Sequence, residues 1–355
     1  MTCFQCEIVE RIRSRNLQVY ISSHVPFIQD KLNRFFTGDS SASTAEDEPL
    51  CVRTDAFTDL VWDLYRHGDF NRMEQENIFI LPLRETDSFC AQSLYNAKNL
   101  GQWKELVSAN ELVETLANNW LTTHFQPIVR AGTSDIYGYE CLTRGLMPDG
   151  ELIEPSELFG KAGRTDLLFN LDKLARQTTI QSITDHLPPG KKAFINFVPT
   201  AIYNPDNCLH STIEAIHEKG LVPGDVVFEV VEFEKIGDMD HLRSIMDHYR
   251  SKGFSVALDD LGSGFASLNL LTKLHPDYVK IDMELIRSVD SDSLKRSIVE
   301  AIIRLSREQN ILVIAEGVET REELAYVTEA GVDFVQGFIM GRPAPVPQAV
   351  IPVNE

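Results

Sequence analysis

The chain has 355 residues, 43% hydrophobic and 24% charged, with a formal net charge of −20. That is globular composition, long enough for one large domain with a smaller companion, and it excludes the disordered and fibrous classes. The acidity argues against a broad nucleic-acid-binding surface, so no nucleic-acid polymer is expected as a partner, and an anionic ligand needs local positive charge or metal ions. No stretch approaches the roughly eighteen uninterrupted apolar residues of a membrane span. Met1 to Arg13 carries Glu7, Glu10, Arg11 and Arg13 where a signal peptide needs an apolar core, so a cytoplasmic protein is expected.

The chain divides near residue 115, giving an N-terminal module over 1–115 and a second domain over 116–355. In the first, Cys3 and Cys6 form a C-x-x-C that suits half a zinc site, a redox pair or plain thiols. Amphipathic stretches run from Val25 to Phe36 and from Ala56 to Met73, around an acidic, Ser-rich loop at Gly38 to Pro49. A helical pattern follows through Trp103, Leu106, Leu112 and Leu116. The expectation is a small α or α+β module with a sensory or regulatory role.

Beyond it, short apolar segments alternate with amphipathic helices. Candidate strands are Thr123 to Val129, Tyr137 to Leu142, Lys192 to Phe197, Val226 to Val231, Ser255 to Asp260, Tyr278 to Asp282, Leu312 to Glu316 and Phe334 to Met340. Candidate helices are Leu167 to His186, Ser211 to Lys219, His241 to Lys252, Leu294 to Gln309 and Thr320 to Ala330. The rhythm predicts an α/β fold of the TIM-type (β/α)8 barrel class. An open doubly wound sheet is the rival, but the glycine-rich G-x-G-x-x-G turn after a first strand is absent.

Polar residues interrupt these strands in order: Glu140, Asn196, Glu229, Asp259 with Asp260, Lys280, Glu316 and Gln336. Alone, Asp259-Asp260 before the turn Leu261-Gly262-Ser263-Gly264-Phe265 also suits a cap. In a barrel the strand ends converge on one mouth, and residues remote in sequence become a single ring. Carboxylates and an amide, without cysteine or histidine at that level, select Mg²⁺ or Mn²⁺ over zinc. Two such ions balance the acids better than one, and can bind a phosphodiester and lower the pKa of a water. Lys280 suits orienting that water or stabilising developing charge.

The segments Thr123-His-Phe-Gln-Pro-Ile-Val129, Tyr139-Glu-Cys-Leu-Thr-Arg144, Phe194-Ile-Asn196, Phe228-Glu-Val-Val-Glu232, Leu258-Asp-Asp-Leu-Gly-Ser-Gly-Phe-Ala-Ser-Leu268, Val279-Lys-Ile-Asp282, Ala315-Glu-Gly-Val-Glu-Thr320 and Val335-Gln-Gly-Phe338 resemble, in order, the motifs of the EAL-domain cyclic di-GMP phosphodiesterases. The resemblance runs over roughly residues 117–345. It implies an EAL barrel that hydrolyses cyclic di-GMP to linear pGpG with two Mg²⁺ or Mn²⁺ ions, as a homodimer. It implies that Glu140, Asn196, Glu229 and Asp259 hold one metal and that Asp259, Asp260 and Glu316 hold or approach the second, with Lys280 positioning the attacking water. Arg144 would contact a ligand phosphate, Gln126 and Gln336 would line the site, and Glu232, Asp282 and Glu319 would support it, Glu232 by bracing the loop Leu261 to Ser267.

The signature triplet reads Glu-Cys-Leu rather than Glu-Ala-Leu, and Cys141, one residue off the metal position, should point away from the site. No G-G-D-E-F or G-G-E-E-F sequence occurs, so the opposing cyclase activity is not expected. Three readings stand beside one another: an active phosphodiesterase, a catalytically silent cyclic di-GMP receptor or interaction module, and an enolase-like Mg²⁺-dependent barrel. The acid set favours the first, and the third lacks a base dyad.

Overall fold

The computed structural model describes residues 4–37, 49–91, 93–231, 238–262, 271 and 273–348. Cys3, Glu232 and residues 263–267 of the loop lie outside them, as does the side chain of Cys6. The chain forms two compact units, Met1–Trp120 with Ser156–Leu171, and Leu121–Pro155 with Asp172–Glu355. No helix among the described residues is long and apolar enough to cross a membrane.

The first unit is mixed. Strands β1 (Leu17–Ser22), β2 (Leu50–Thr54), β3 (Phe79–Arg84) and β4 (Lys98–Asn99) form a sheet in the order β2-β1-β3-β4. In β1, Leu17, Val19 and Ile21 are buried while their neighbours are not, the period-2 pattern of a half-covered strand. Pro82 lies in β3 beyond the short stretch where β4 pairs, so its missing N–H removes no ladder bond on that side. Helices α1 (Phe4–Arg13), α2 (Pro26–Thr37), α3 (Phe57–His67), α4 (Arg72–Glu76), α5 (Leu100–Ser108) and α6 (Asn110–Asn118) accompany the sheet. Trp103 of α5 is fully buried, meets Phe57 edge-on at 4.8 Å and donates its indole N–H to Ile80 O. Helix α7 (Pro155–Arg164) belongs to this unit from Ser156 on, although it follows three strands of the barrel sheet in the chain.

The second unit is the barrel. Its strands are β5 (Leu121–Arg130), β6 (Ile136–Leu146), β8 (Lys192–Phe197), β9 (Val226–Val230), β10 (Ser255–Leu261), β11 (Tyr278–Ile281), β12 (Leu312–Ala315) and β13 (Phe334–Gln336). A short β7 (Leu152–Ile153) adds to β6, and pairing of β5 with both β13 and β6 closes the ring. Helices α8 (Leu168–His186), α9 (Pro205–Cys208), α10 (His210–Glu218), α11 (Met239–Ser251), α12 (Met283–Ile286), α13 (Ser293–Glu308) and α14 (Arg321–Ala330) fall between strands. The barrel matches the expected class with one departure from the all-parallel pattern: β5 runs antiparallel to both neighbours. The link from Arg130 to Ile136 is too short for a crossover helix and turns through Gly132 at φ 72°, so β5 and β6 can only form a hairpin.

Two apolar layers flank the strands. Outward residues such as Phe125, Cys141, Ile195, Phe228 and Val313 pack with the helices. Inward residues Ile128, Phe194, Val227, Ala257, Tyr278, Ile314 and Phe334 fill the barrel's interior. Tyr137 stacks on Phe334 at 4.0 Å, and its hydroxyl lies 2.7 Å from that of Tyr278.

Candidate active site

The inward apolar layer fixes what stands above it. Side chains two apart on a strand share a face, so Phe194 is followed on the inside by Asn196, Val227 by Glu229, Ala257 by Asp259, Tyr278 by Lys280, Ile314 by Glu316 and Phe334 by Gln336. On antiparallel β5 the same step runs backwards, from Ile128 to Gln126, and Gln126 is in register with Glu140 of β6. A polar ring therefore rests on an apolar plug at the strands' C-terminal ends, where barrels build sites.

Lys280 is the hub. Its Nζ lies 3.2 Å from Glu140 Oε2, 3.3 Å from Glu229 Oε1, 3.2 Å from Asp259 Oδ1 and 2.5 Å from Glu316 Oε1. Asn196 Nδ2 donates to Glu140 Oε1 at 3.0 Å, and Gln336 Nε2 donates to Glu140 Oε2 at 2.6 Å and to Gln126 Oε1 at 3.1 Å. Gln126 Nε2 in turn donates to Gly341 O at 3.3 Å.

One ammonium among four carboxylates is an unbalanced interior. Burial pushes Glu229, Asp259 and Glu316 above the usual carboxylate range; Lys280 pulls them down only in part, and neighbouring acids push them further up. Burial opposes ionisation of Glu140 too, but Lys280, Asn196 and Gln336 together bring it below its ordinary value. Lys280 itself is held well above the lysine range, since Asp259, Glu140, Glu229 and Glu316 outweigh its burial.

The donor set fits hard cations. Among the described residues, Glu229 Oε2, Asn196 Oδ1 and Gln336 Oε1 are buried without a hydrogen-bond partner, and Glu229 Oε1 and Asp259 Oδ1 meet only the Lys280 ammonium they share with two other acids. Such atoms are rare unless something else satisfies them, and all are oxygens, as Mg²⁺ and Mn²⁺ prefer. Asp259, Asp260 and Glu316 also offer carboxylate oxygens that lie within 4.8 Å of one another. Asp260 sits at φ 51°, a left-handed conformation that breaks the strand's alternation and lets adjacent acids face one mouth. Asp260 is solvent-exposed, yet the protein around it, with Asp259 and Asp282 alongside, pushes its carboxyl up to about 7; water at the mouth softens that shift.

The remaining expected residues are placed as follows. Asp282 caps α12 by accepting from Glu284 N at 2.7 Å, and its backbone N–H donates to Leu261 O. Glu319 is exposed, with its backbone N–H held by Glu323 Oε2 and its carboxylate 3.7 Å from Arg287. Arg144 stands on β6 above Glu140 and Leu142, its Nε 3.3 Å from Glu154 Oε2. Cys141 faces the outer apolar layer, where burial raises its thiol well above the ordinary range. Glu232 lies outside the described residues.

Sequence reasoning passed over Asp172 and Arg176, an i, i+4 pair on α8 that reads as a surface ion pair. Both are buried: Arg176 donates to Asp172 Oδ2 and, through Nε, to Thr212 Oγ1 at 3.2 Å. Asp172 Oδ1 accepts the N–H of Val198 at 2.9 Å, which ties down the backbone just after Asn196. The available signal was that the pair falls on the helix face carrying Leu171 and Ala175, both buried.

The fold and mouth define an acidic-mouthed α/β barrel in which strand-end oxygens surround one lysine. The chain belongs to the EAL domain family, whose model matches residues 109–343. It is 30% identical over 274 residues to the probable cyclic di-GMP phosphodiesterase PdeG of Escherichia coli (strain K12), covering 75% of this chain and 52% of that protein. The chain thus spans about half the length of that relative, and 38% of the length of the bifunctional diguanylate cyclase/cyclic di-GMP phosphodiesterase MucR of Pseudomonas aeruginosa, to which it is 29% identical. Among solved structures, a standalone versatile EAL protein from Vibrio cholerae O395 in its c-di-GMP-bound form is 35% identical with a TM-score of 0.59, covering 66% of this chain and 96% of that one. The PaMucR phosphodiesterase in complex with c-di-GMP is 28% identical with a TM-score of 0.61, covering 67% of this chain and 97% of that one.

Proposed function

We propose that the barrel hydrolyses cyclic di-GMP to linear pGpG, using two Mg²⁺ or Mn²⁺ ions per site. What supports this reading is the cluster of buried oxygens at the mouth, in a chain of this family: among the described residues some have no hydrogen-bond partner and the rest share one lysine. Glu140, Asn196, Glu229 and Asp259 would hold one ion, and Asp259, Asp260 and Glu316 the other. When bound, such ions supply Lewis acidity toward the phosphodiester and lower the pKa of water.

The chain's own residues do the positioning. Lys280 orients the attacking water, whose oxygen bonds to phosphorus while the bond to the ribose 3′-oxygen breaks and a proton passes to that oxygen. The 5′-phosphate of pGpG results. Gln336 and Asn196 fix the Glu140 carboxylate from two sides, and Gln126 fixes Gln336. Arg144 takes a ligand phosphate. Asp282 beside Asp260, Glu319 after Glu316, and Glu232 ahead of the loop support the site. We assign residues 1–115 a regulatory role and 116–355 the catalytic domain, acting in the cytoplasm as a homodimer.

The test is nucleotide chromatography of purified protein given cyclic di-GMP with Mg²⁺ or Mn²⁺. pGpG is expected. Tight binding without turnover in either metal would mean a receptor, and normal hydrolysis by Glu140→Ala would overturn the assignment of the ring.

A further inference from the structure

Strand β5 brings one side chain to the mouth that the ring leaves unused. Because β5 runs antiparallel to β6 and β13, its N-terminal end lies beside the C-terminal ends of the other strands. Gln126 marks the inward face of β5 through its bond with Gln336, and residues two apart share that face, so His124 and Thr122 stand above Gln126 on the inside. The register places them opposite Leu142 and Arg144, which continue the inward face of Glu140 on β6.

His124 is half-buried, yet among the described residues its ring makes no hydrogen bond, ion pair or ring contact. Its electrical surroundings are those of the rim. Burial and the Arg144 guanidinium hold it below its ordinary pKa, with Glu154 opposing. Near neutral pH the ring is therefore uncharged and offers one N–H donor. Arg144 is anchored from outside by Glu154 and by Thr143 O. A guanidinium and an N–H donor at diagonal positions of one strand pair form a two-point donor site for an anionic oxygen.

We infer that His124 is a substrate-binding residue, donating its ring N–H to the same phosphate of the cyclic dinucleotide that Arg144 contacts. This rests on the cyclic di-GMP reading of the mouth. His124 touches none of the ring acids by hydrogen bond or ion pair, so its contribution falls on binding rather than on the chemical step.

Steady-state kinetics with cyclic di-GMP and Mn²⁺ on the full chain test this, comparing wild type, His124→Ala, His124→Gln and Arg144→Ala. His124→Ala is expected to raise KM about tenfold, the scale of one hydrogen bond to a charged group, with kcat within about twofold of wild type. His124→Gln, which keeps an N–H donor, should recover much of the loss. Mn²⁺ titration without nucleotide and the melting temperature should match wild type. A KM within about twofold of wild type in His124→Ala, or a joint loss of kcat and Mn²⁺ affinity, overturns the assignment. The failures separate: if Arg144→Ala raises KM and His124→Ala does not, only His124 is misassigned, whereas a wild type that neither binds nor hydrolyses cyclic di-GMP removes the reading beneath it.

Discussion

Replacing Lys280 by methionine tests the charge balance of the mouth apart from catalysis. The side chain is 1% exposed and its ammonium lies within 3.3 Å of Glu140, Glu229, Asp259 and Glu316, themselves largely buried. Methionine keeps the apolar stem and removes the charge, leaving those acids with no cation among the described residues. Breaking a buried ionic cluster from one side costs about 3–5 kcal/mol. For a domain of this size that lowers the melting temperature by about 6 to 20 °C. The assay is thermal or urea denaturation in EDTA at pH 8, repeated at pH 5, where protonation of the acids should make the penalty smaller. Saturating Mn²⁺ should restore part of the loss, since an ion at one hundred times its Kd stabilises by about 2.7 kcal/mol. Turnover should be abolished in every condition. If metal-free Lys280→Met melts with the wild type at pH 8, Lys280 is not the counter-ion of the ring.

Two further predictions follow from the same geometry. Glu229, Asp259, Asp260 and Glu316 have folded pKa values above their unfolded ones, so the stability they contribute is complete below about pH 4 and is lost as pH rises through the folded values, about 7 for Asp260. Glu140 acts in the opposite sense, gaining stability above about pH 4, but it is one group against four. Melting in EDTA should fall between pH 5 and 8, Mn²⁺ should flatten the curve, and Mn²⁺ affinity should rise over the same range; a metal-free melting temperature that climbs with pH contradicts the directions assigned. Gly337→Ala should disturb the site from behind, because a Cβ there would lie 2.1 Å from Val318 O and 2.4 Å from Val318 N. Relief requires the backbone beside Gln336 to move, at about 1–3 kcal/mol, and denaturation together with Mn²⁺ titration should show stability and metal affinity falling together.

The barrel and its ring were legible because both rest on a short-range rule. Each polar strand-end residue stands two positions from an inward apolar one, and period 2 survives whatever the strand's direction. Direction itself was not legible from that pattern. Thr123 to Val129 and Tyr137 to Leu142 look alike whether parallel or hairpinned, and only the missing helix between them carried the signal. The N-terminal sheet was obscured for another reason: Leu17–Ser22 and Phe79–Arg84 are short, unflanked by a repeating rhythm, and Phe79–Arg84 contains Pro82, which argues against a strand until the short reach of β4 is known. Helix α7 shows a further limit, since chain order places Pro155–Arg164 among barrel elements while its packing places it in the other unit.

What sequence could not supply is the relation among the ring's members, and that relation separates a site from a set of caps. Elsewhere in the barrel some buried polar groups are satisfied locally: Thr123 Oγ1 meets Thr179 Oγ1 at 3.2 Å, and Asp172 holds both Arg176 and the Val198 N–H, although Arg176 Nη2, Tyr249 Oη and Ser306 Oγ have no hydrogen-bond partner among the described residues. At the mouth the shortfall coincides with the densest carboxylates: among the described residues a single ammonium faces four acids, and Glu229 Oε2, Asn196 Oδ1 and Gln336 Oε1 have no hydrogen-bond partner. A fold selected only for stability would replace those acids by apolar residues of similar volume, since a buried ionic cluster is neutral at best against such a replacement. Retaining them at the end of a well-packed apolar plug suits a site that takes added positive charge, and Lys280, one layer above Tyr278, is the ammonium among the described residues that offsets them.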